Sequence, residues 1–399
     1  MSPRPGGPKI RRREAGEMEG LRIVRVEIHP CRLPFTTPFL ISRGAVGLPE
    51  EGAPHIYVKV VAEDGTEGWG EARPSHRWSY ETEWSVVSAI RDHLAKAVIG
   101  LDAFEITEAH KVMDREVAPG VSRGQPIAKS ALDMALHDLV CRKLGVDLRR
   151  LLGGRMEFEI PLAYMVSAED ATGAALAAGQ AVERGYRCVK VKIGKGVKKD
   201  IEILKAVRGA VKDALVWADP NQAYTAAEAV ELARKAEGLI DVLEQPLPAN
   251  DLAGLAEVTA KSPIPIAVDE SAFSPRDLVN VIRHGAANAF VAKVSKAGGL
   301  LPARRAIEIA MEANLLVLGS GLTESALGFM ASAKLYSALG IKIPVDLNGP
   351  QFLGDEPFPE PVEVERGVAK IPESEGVGPS PDPEKLASLR TGEPIVVEG

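Results

Sequence analysis

The sequence predicts an α/β protein: a closed, TIM-type (β/α) barrel preceded by an α+β domain that the C-terminal segment completes. Two observations predict the barrel. From residue 160 onward, short apolar strands alternate with helical stretches, which is typical of parallel βαβ units. A charged side chain also recurs at the end of successive strands, about 25 residues apart, as expected when each charge lies on the next strand of one barrel.

Length, composition and charge restrict the possible functions. The chain has 399 residues, of which 45% are hydrophobic and 26% are charged. At about 150 residues per domain, this predicts two to three domains, or one large barrel with an accessory domain. The formal net charge is −7 and there is no long basic stripe, so we expect neither nucleic acid nor an anionic membrane as a partner. No apolar run approaches the ~18 residues of a membrane-spanning helix.

The cysteines indicate the redox environment. Cys31, Cys141 and Cys188 are too few and too scattered for a disulfide framework or a thiolate metal site. We therefore expect reduced thiols in a cytoplasmic protein.

The two ends of the chain differ from its middle. Residues 1–19 are rich in arginine, proline and glycine and lack the apolar segment of a signal peptide, so we expect a disordered extension. Met18, directly before the first predicted strand, is an alternative start. Residues 351–399 carry many prolines and short β-like runs, which predicts an irregular arm that packs on the N-terminal domain.

The predicted α+β domain occupies residues 20–145. Two of its strands lie at 21–33 and 54–62, and a Gly-Thr-Glu-Gly turn leads into a third at 69–72. Helices follow, the last of which ends at Gly145. The residues predicted to share the buried face of the first helix are Trp84, Val87, Ile90 and Leu94.

The predicted barrel occupies residues 146–350. Its strands are predicted at 160–165, 188–193, 215–219, 241–245, 266–270, 290–295, 315–320 and 345–348. An open doubly wound sheet is the alternative, but no Gly-x-Gly-x-x-Gly cofactor signature follows any of these strands.

Three acidic residues end consecutive strands: Asp219, Glu244 and Asp269. Active sites of (β/α) barrels lie at these carboxyl ends, and three converging carboxylates cannot all stay ionised without a cation. An all-oxygen ligand set favours Mg²⁺ or Mn²⁺ over zinc. The alternative is that each acid only pairs with a barrel lysine.

Lysines end the neighbouring strands. Lys190 and Lys192 are two residues apart on one strand, so both point to the same face, which must be the barrel interior. Two ammonium groups this close lower each other's pKa, which makes a neutral lysine base accessible near pH 7. Lys293 lies on the opposite side of the predicted metal, whereas Lys296 could be only a surface charge.

Two lysines that flank a divalent cation suit the removal of a proton next to a carboxylate. A positioned base contributes roughly 10²–10⁴-fold to the rate, which is too little for so weak an acid. The remainder must come from stabilising the doubly negative enediolate, and a metal on the carboxylate does this.

Six short motifs resemble a known family. They are Lys190-Val-Lys192, Asp219-Pro-Asn221, Glu244-Gln-Pro246, Val268-Asp-Glu-Ser271, Lys293-x-x-Lys296-x-Gly-Gly299 and Gly319-Ser-Gly-Leu-Thr-Glu-Ser325. As a set they resemble the muconate-lactonizing subgroup of the enolase superfamily, over about residues 20–385. The resemblance implies a modified (β/α)7β barrel, an N-terminal capping domain that closes over the barrel mouth, and a homo-oligomer, either dimer or octamer.

The resemblance also implies roles for the matched residues. The three acids would ligate Mg²⁺, with Mn²⁺ as a substitute, and Asn221 and Glu270 would support them. Lys192 and Lys293 would be the acid/base catalysts on opposite faces of a small carboxylate substrate. Lys190 would lower the pKa of Lys192 and contact the substrate carboxylate.

Two cap loops, at about 36–52 and 74–81, would line the substrate. The second loop contains Arg77, Trp78 and Tyr80, which are either substrate contacts or plain surface residues.

The subgroup contains racemases and epimerases, cycloisomerases, and lyases such as o-succinylbenzoate synthase-like and hydroxyproline dehydratase-like enzymes. None of the seven histidines ends a barrel strand, which disfavours a histidine-base racemase. Ser320 and Glu324 end one strand and are candidate substrate-binding residues. On the last strand, dipeptide epimerases carry Asp-x-Asp to hold the substrate ammonium, whereas this chain has Asp346 and Asn348.

We therefore expect a racemase or epimerase of an amino-acid-derived carboxylate that is not a standard dipeptide. Asp346 could instead form a salt bridge within the barrel, and the Gly-Pro after Asn348 also resembles cycloisomerases. Two other classes remain as contrasts: a Schiff-base aldolase with Lys293 or Lys192 as nucleophile, and a catalytically silent barrel that only binds.

Overall fold

The computed structural model describes residues 20–120 and 122–399. The predicted N-terminal extension, residues 1–19, lies outside the described residues. In the part of the chain that is described, no helix has both the length and the apolar character needed to cross a membrane.

The N-terminal region consists of short strands followed by helices. Its elements are β1 (Ile23–Leu33), β2 (Phe39–Ile41), β3 (Gly44–Gly47), β4 (Ala53–Ala62), β5 (Glu67–Ala72), α1 (Glu83–Ala89), a π-helical turn (Ile90–Leu94), α2 (Ala95–Val98), α3 (Ile106–Glu116), α4 (Pro126–Leu144) and α5 (Leu148–Leu151). β2 and β3 form a separate antiparallel hairpin.

The central region alternates strands and helices. Its elements are β6 (Glu159–Pro161), β7 (Tyr164–Val166), α6 (Ala171–Glu183), β8 (Cys188–Lys192), α7 (Val197–Val211), β9 (Leu215–Asp219), α8 (Ala226–Lys235), β10 (Val242–Glu244), α9 (Leu252–Lys261), β11 (Ile266–Val268), α10 (Pro275–His284), β12 (Ala289–Ala292), α11 (Val294–Ala297), α12 (Leu300–Glu312), β13 (Leu316–Gly319) and α13 (Ala326–Ala338).

The C-terminal segment returns to both earlier regions. Its elements are α14 (Gly349–Phe352), β14 (Val364–Glu365), β15 (Val368–Lys370), α15 (Pro383–Leu389) and β16 (Ile395–Glu398). β15 pairs with β6, and β16 pairs with β1, so the last strand becomes the edge of an antiparallel sheet with the order β16-β1-β4-β5.

The barrel sheet contains seven parallel strands in the order β13-β12-β11-β10-β9-β8-β7. The predicted eighth strand is reduced to single-residue bridges. The Val345 amide donates to Pro161 O at 2.9 Å and the Asp346 amide donates to Gly319 O at 2.9 Å, which links the two edges of the sheet. The sequence-based expectation of a modified barrel with a separate N-terminal domain is confirmed.

The prediction of one strand at 160–165 is wrong. The segment splits at Leu162: β6 pairs with β15 in an antiparallel sheet, and only β7 joins the barrel beside β8. A single apolar run can serve two sheets in this way when its successive segments pair with different strands, and periodicity alone does not show the break.

The prediction that Trp84 shares the buried face of the first helix is also wrong. Val87, Ile90 and Leu94 are buried, whereas Trp84 is 65% exposed. At about 100° per residue, Trp84 lies roughly 120° around the helix from Ile90 and therefore falls outside the buried stripe.

Two buried carboxylates join the N-terminal domain to barrel helices. Glu71 on β5 accepts hydrogen bonds from the Ser325 amide (2.9 Å), the Ser325 hydroxyl (2.6 Å) and the Gly328 amide (2.9 Å), at the start of α13. Asp133 on α4 accepts from the Leu300 amide, at the start of α12. Each acid thus caps the positive end of a helix in the other domain.

Close packing of α4 on β5 depends on two glycines. A Cβ atom at Gly68 would overlap the Ala135 carbonyl oxygen, and one at Gly70 would overlap the Ala131 carbonyl oxygen. The Gly-Trp-Gly sequence of β5 therefore lets a sheet and a helix approach with no side chain between their backbones.

We predict that Gly70→Ala lowers the free energy of unfolding by about 2–3 kcal/mol, because the added methyl group must displace the α4 backbone. Urea denaturation measures the change. Gly209→Ala in α7 is the matched control, since its Cβ would meet no atom within 4 Å and the change should stabilise by about 0.5–1 kcal/mol. A Gly70→Ala protein as stable as wild type would contradict the packing.

Candidate active site

The charged residues predicted at the strand ends come together at one end of the barrel. Lys190 and Lys192 lie on the last half of β8, Asp219 ends β9, and Glu244 ends β10. The remaining two, Asp269 and Lys293, directly follow β11 and β12. All six are buried, and Lys192 is the most exposed at 8%.

Lys190 is surrounded by acids. Its Nζ atom lies 2.8 Å from Glu244 Oε2, 3.0 Å from Asp346 Oδ2 and 3.4 Å from Asp219 Oδ2. Its ammonium also lies 4.3 Å from the centre of the Trp217 ring, which fills the barrel interior below. Lys190 therefore forms the central cation of the site.

The two predicted catalytic lysines each contact one acid. Lys192 Nζ donates to Asp219 Oδ2 at 2.5 Å and to Asn221 Oδ1 at 2.9 Å. Lys293 Nζ donates to Asp269 Oδ2 at 2.6 Å. Three strands, β9 to β11, lie between β8 and β12 in the sheet, so the two amines face each other across the barrel mouth.

The pKa values of the acids reflect their crowding. Burial, together with the negative charges of Asp219 and Asp269, raises the pKa of Glu244 well above its usual range despite the nearby Lys190. Asp219 is also desolvated, but Lys192 and Lys190 hold its pKa below the usual value. Burial and the same two aspartates raise the pKa of Glu270 to about 7. The cluster therefore contains more carboxylates than its buried surroundings can stabilise in the ionised form.

The expected lowering of lysine pKa values is wrong for Lys190. Burial acts in that direction, but Glu244, Asp346 and Asp219 raise its pKa well above the usual value. The reason is distance: three carboxylates lie within 3.4 Å of its Nζ, so their attraction outweighs repulsion by another lysine.

Lys296, which the sequence left open as a surface charge, is fully buried. Its Nζ donates to Asp269 Oδ1 and to Asp269 O, both at 2.7 Å. Lys293 and Lys296 thus hold the two carboxylate oxygens of Asp269 from either side. The signal for this arrangement was the spacing of three residues between Lys293, at the N-terminal boundary of the short helix α11, and Lys296 within it, which turns both side chains toward the same acid.

Asn221 and Glu270 lie next to the acids, where they were expected. Asn221 accepts from Lys192 and donates through Nδ2 to Glu270 Oε1 at 3.2 Å. Asn221 has a left-handed backbone with a φ of 45°. Such strained positions concentrate at functional sites.

Sequence reasoning missed Gln245. Its Oε1 accepts from the Asp269 amide at 2.9 Å and the Ser271 amide at 3.1 Å, so it connects the ends of β10 and β11. Its φ of 35° is also positive. The Glu-Gln-Pro motif was the available signal, but only the neighbouring glutamate was assigned a role.

Besides Lys190, the four other candidate substrate-binding residues have partners within the protein. Asp346 Oδ2 accepts from the Ser320 hydroxyl at 3.1 Å, and Asp346 Oδ1 accepts from Asn348 Nδ2 at 3.1 Å. Glu324 accepts from the Ser295 hydroxyl at 2.5 Å and the Leu322 amide at 2.6 Å. The salt bridge from Lys190 to Asp346 corresponds to the alternative that the sequence left open.

A small cavity of about 30 Å³ lies over these residues. The two cap segments, the β2–β3 hairpin and the 75–78 turn, supply part of its wall. Its lining residues are Phe39, Ile41, Val46, Ser75, Trp78, Met165, Lys190, Lys192, Lys293, Gly321, Leu322, Thr323, Asp346 and Asn348. The cavity is narrow and the cap supplies part of its wall, so the position of the cap limits the space available to a substrate.

The cap loop residues divide into two groups. Trp78 is buried in the cavity wall, whereas Tyr80 is 58% exposed and its hydroxyl donates to Arg123 O at 2.9 Å. Arg77 is exposed as well and contacts Arg43 O. Of the three, only Trp78 faces the cavity.

The donor set fits a hard divalent cation. Within residues 20–120 and 122–399, no three acidic, histidine or cysteine side chains already form a ligand cluster, and lysines lie between the acids instead. Nevertheless, burial and the charges of Asp219 and Asp269 raise the pKa of Glu244, and a cation bound by the three acids would relieve the repulsion between them. Carboxylate oxygens without histidine or thiolate favour Mg²⁺.

Two family models match the chain. The model for the mandelate racemase/muconate lactonizing enzyme N-terminal domain matches residues 23–153. The model for the enolase C-terminal domain-like family matches residues 173–385.

Curated relatives and solved structures cover most of the chain. An N-succinyl-L-Arg/Lys racemase of Bacillus cereus is 30% identical over 83% of this chain and 88% of its own length. A muconate cycloisomerase of Acinetobacter lwoffii is 32% identical over 84% of this chain and 88% of its own length. A dipeptide epimerase from Cytophaga hutchinsonii, solved with Mg and D-Ala-L-Val, is 28% identical with a TM-score of 0.87, covering 94% of this chain and 100% of that chain.

We predict that Lys296→Met lowers the free energy of unfolding by about 2–4 kcal/mol, because it leaves a buried Asp269 oxygen without its cation. The control is Lys261→Met, which removes an exposed helix pair with Glu257 and should cost less than about 0.5 kcal/mol. Denaturant titration compares the two. Equal, small losses would show that Lys296 does not hold Asp269.

Proposed function

Because the chain belongs to the mandelate racemase/muconate lactonizing enzyme family and is an isomerase of the enolase superfamily, we propose that it racemises or epimerises an amino-acid-derived carboxylate. The observation that carries this proposal is the placement of Lys192 and Lys293 on opposite sides of one acid cluster. Two amines on opposite faces can remove a proton from one side of a carbon and return one from the other side.

Four residues of the chain have separate roles in proton transfer and substrate binding. For one enantiomer, Lys192 Nζ accepts the α-proton and Lys293 Nζ donates a proton to the opposite face; for the other enantiomer the roles reverse. Asn221, at 2.9 Å, orients the Lys192 amine. Lys190, the central cation, binds the substrate carboxylate and so stabilises the enediolate that forms from it.

Asp219, Glu244 and Asp269 would hold Mg²⁺, or Mn²⁺ in its place. When bound, the ion supplies a Lewis acid that neutralises the charge developing on the substrate carboxylate. Asn221 and Glu270 would keep the ligands oriented through the hydrogen bond between them. Magnesium in the dipeptide epimerase structures supports this choice of ion.

The hydrogen bonds of Asp346 bear on the substrate. Both of its carboxylate oxygens already have partners, since Lys190 and Ser320 contact Oδ2 and Asn348 contacts Oδ1. A substrate ammonium would have to displace one of them. We therefore favour an N-acylated amino acid that carries no free ammonium group, with an apolar group against Phe39, Ile41 and Leu322.

The two lysines are tested by proton NMR in D₂O with Mg²⁺ and pools of N-acyl amino acids, dipeptides and unsaturated diacids. We expect the α-proton signal of an N-acyl amino acid to disappear. Lys192→Ala and Lys293→Ala should each lower racemisation by at least about 10²–10⁴-fold, because each removes one of the two proton carriers.

Lys195→Ala is the matched control: this lysine is on the loop after β8, its side chain contacts Ala168 O and Glu169, and its loss should leave the rate unchanged. New vinyl or lactone signals would assign elimination or cycloisomerisation instead. Racemisation that survives in either barrel-lysine variant would refute the two-base proposal.

We predict that EDTA abolishes α-proton exchange and that added Mg²⁺ restores it, because the acid cluster alone cannot neutralise the charge that develops on the substrate. Circular dichroism in EDTA controls for loss of the fold. Exchange that is indifferent to EDTA, with the fold intact, would remove the metal from the mechanism.

A further inference from the structure

The cap contributes one aromatic ring to the lysine cluster. The centre of the Trp78 ring lies 4.2 Å from Lys293 Nζ, and both residues are buried. Trp78 follows β5 in the N-terminal domain, whereas Lys293 follows β12 in the barrel. The contact therefore crosses from the cap to the catalytic machinery.

Two contacts fix the position of Trp78, one through its backbone and one through its ring. Its backbone amide donates to Ser75 O at 3.0 Å within a turn, and its ring stacks on Phe273 with centroids 5.4 Å apart and planes 24° apart. Phe273 lies between β11 and α10 of the barrel. Lys293 thus meets an aromatic surface that is clamped against the barrel wall.

This surface restricts a flexible amine. A lysine ammonium on a four-carbon chain has a single carboxylate contact here, Asp269 Oδ2 at 2.6 Å, which leaves it free to rotate about that contact. A π face within about 6 Å attracts the cation from a second direction. The buried Trp78 Nε1 has no hydrogen-bond partner among the described residues, so no hydrogen bond of the ring competes with its contact to the lysine.

The two proposed proton carriers, Lys192 and Lys293, differ in which domain supplies the groups that position their amines. Lys192 is positioned by Asp219 and Asn221, both of which belong to the barrel, and no aromatic ring in the described part of the chain lies over its amine. Lys293 has one partner in the barrel and one in the cap. The cap contacts the Lys192 side through Asn221, whose carbonyl oxygen accepts from the Ser42 hydroxyl at 3.2 Å. Movement of the cap would therefore disturb the Lys293 amine directly and the Lys192 amine only through Asn221.

We infer that Trp78 is a positioning residue for Lys293, so that proton transfer on the Lys293 face requires the Trp78 ring of the closed cap whereas proton transfer on the Lys192 face does not. This inference rests on the proposed racemase function. For the enantiomer whose α-proton faces Lys192, the return of a proton by Lys293 then follows closure of the cap; for the other enantiomer, removal of the proton itself requires closure.

The experiment compares Trp78→Leu with Trp78→Phe, using the two separate enantiomers of an N-succinyl amino acid in D₂O with Mg²⁺. Lys192→Ala and Lys293→Ala first show which enantiomer presents its α-proton to which lysine. NMR reports α-deuteration, and optical rotation reports inversion. Deuteration without inversion measures one lysine alone, because that lysine exchanges its proton with solvent and returns deuterium to the same face.

We expect Trp78→Leu to lower inversion in both directions, and deuteration of the Lys293-facing enantiomer, by about 10-fold. Deuteration of the Lys192-facing enantiomer should stay at the wild-type rate. Trp78→Phe keeps a π face and should recover most of the loss. Trp84→Leu, the same change at an exposed site of the cap, controls for general damage to that domain and should have no effect.

Two results would overturn the inference: an equal loss of deuteration from both enantiomers, which indicates that the ring only shapes the cavity, or a Trp78→Phe protein as impaired as Trp78→Leu. A wild-type protein that deuterates no enantiomer of any probe would instead refute the proposed function itself, and the inference with it.

Discussion

The rest of the structure depends on the neutralisation of buried carboxylates. Asp219, Glu244 and Asp269 end adjacent strands with almost no access to solvent, and an isolated ionised carboxylate is very costly to bury. Lys190 compensates the first two and Lys296 the third. The position of each lysine follows from this requirement, because its amine lies between the acids and offsets their charge.

The same physical constraint joins the two domains. Glu71 is fully buried on β5 and is stabilised by His55 and by the amides at the start of α13, which hold its pKa below the usual value although burial raises it. Its partner Ser325 follows Glu324, which in turn accepts a hydrogen bond from Ser295 beside Lys293. A chain of short hydrogen bonds therefore leads from the cap sheet to the segment that carries one of the proposed catalytic lysines.

The sequence was most informative where periodicity and spacing coincide. The barrel strands, the acids at about 25-residue intervals and the inward face of Lys190 and Lys192 could all be predicted, because parallel strands bring equivalent positions to one level. The sequence was least informative where a polar side chain had more than one hydrogen-bonding partner within reach. Glu324 was expected to face the substrate but is turned toward Ser295, and Lys296 was left as a surface charge but is fully buried. The orientation of Glu324 and the burial of Lys296 leave the hydrophobic pattern unchanged, so that pattern could not predict either of them.

The sequence by itself determined the fold class, the chemistry-bearing residue types and the strand end to which each belongs, since these follow from local pattern and chain order. Only the tertiary structure decided which charges pair and which cap residues reach the barrel. Three carboxylates raise the pKa of Lys190 where sequence reasoning expected a second lysine to lower it. Trp78 reaches Lys293 across the domain boundary, whereas Tyr80, two residues later, faces solvent. Electrostatic and aromatic contacts fall off over a few ångströms, and distances on that scale between segments remote in sequence exist only after folding.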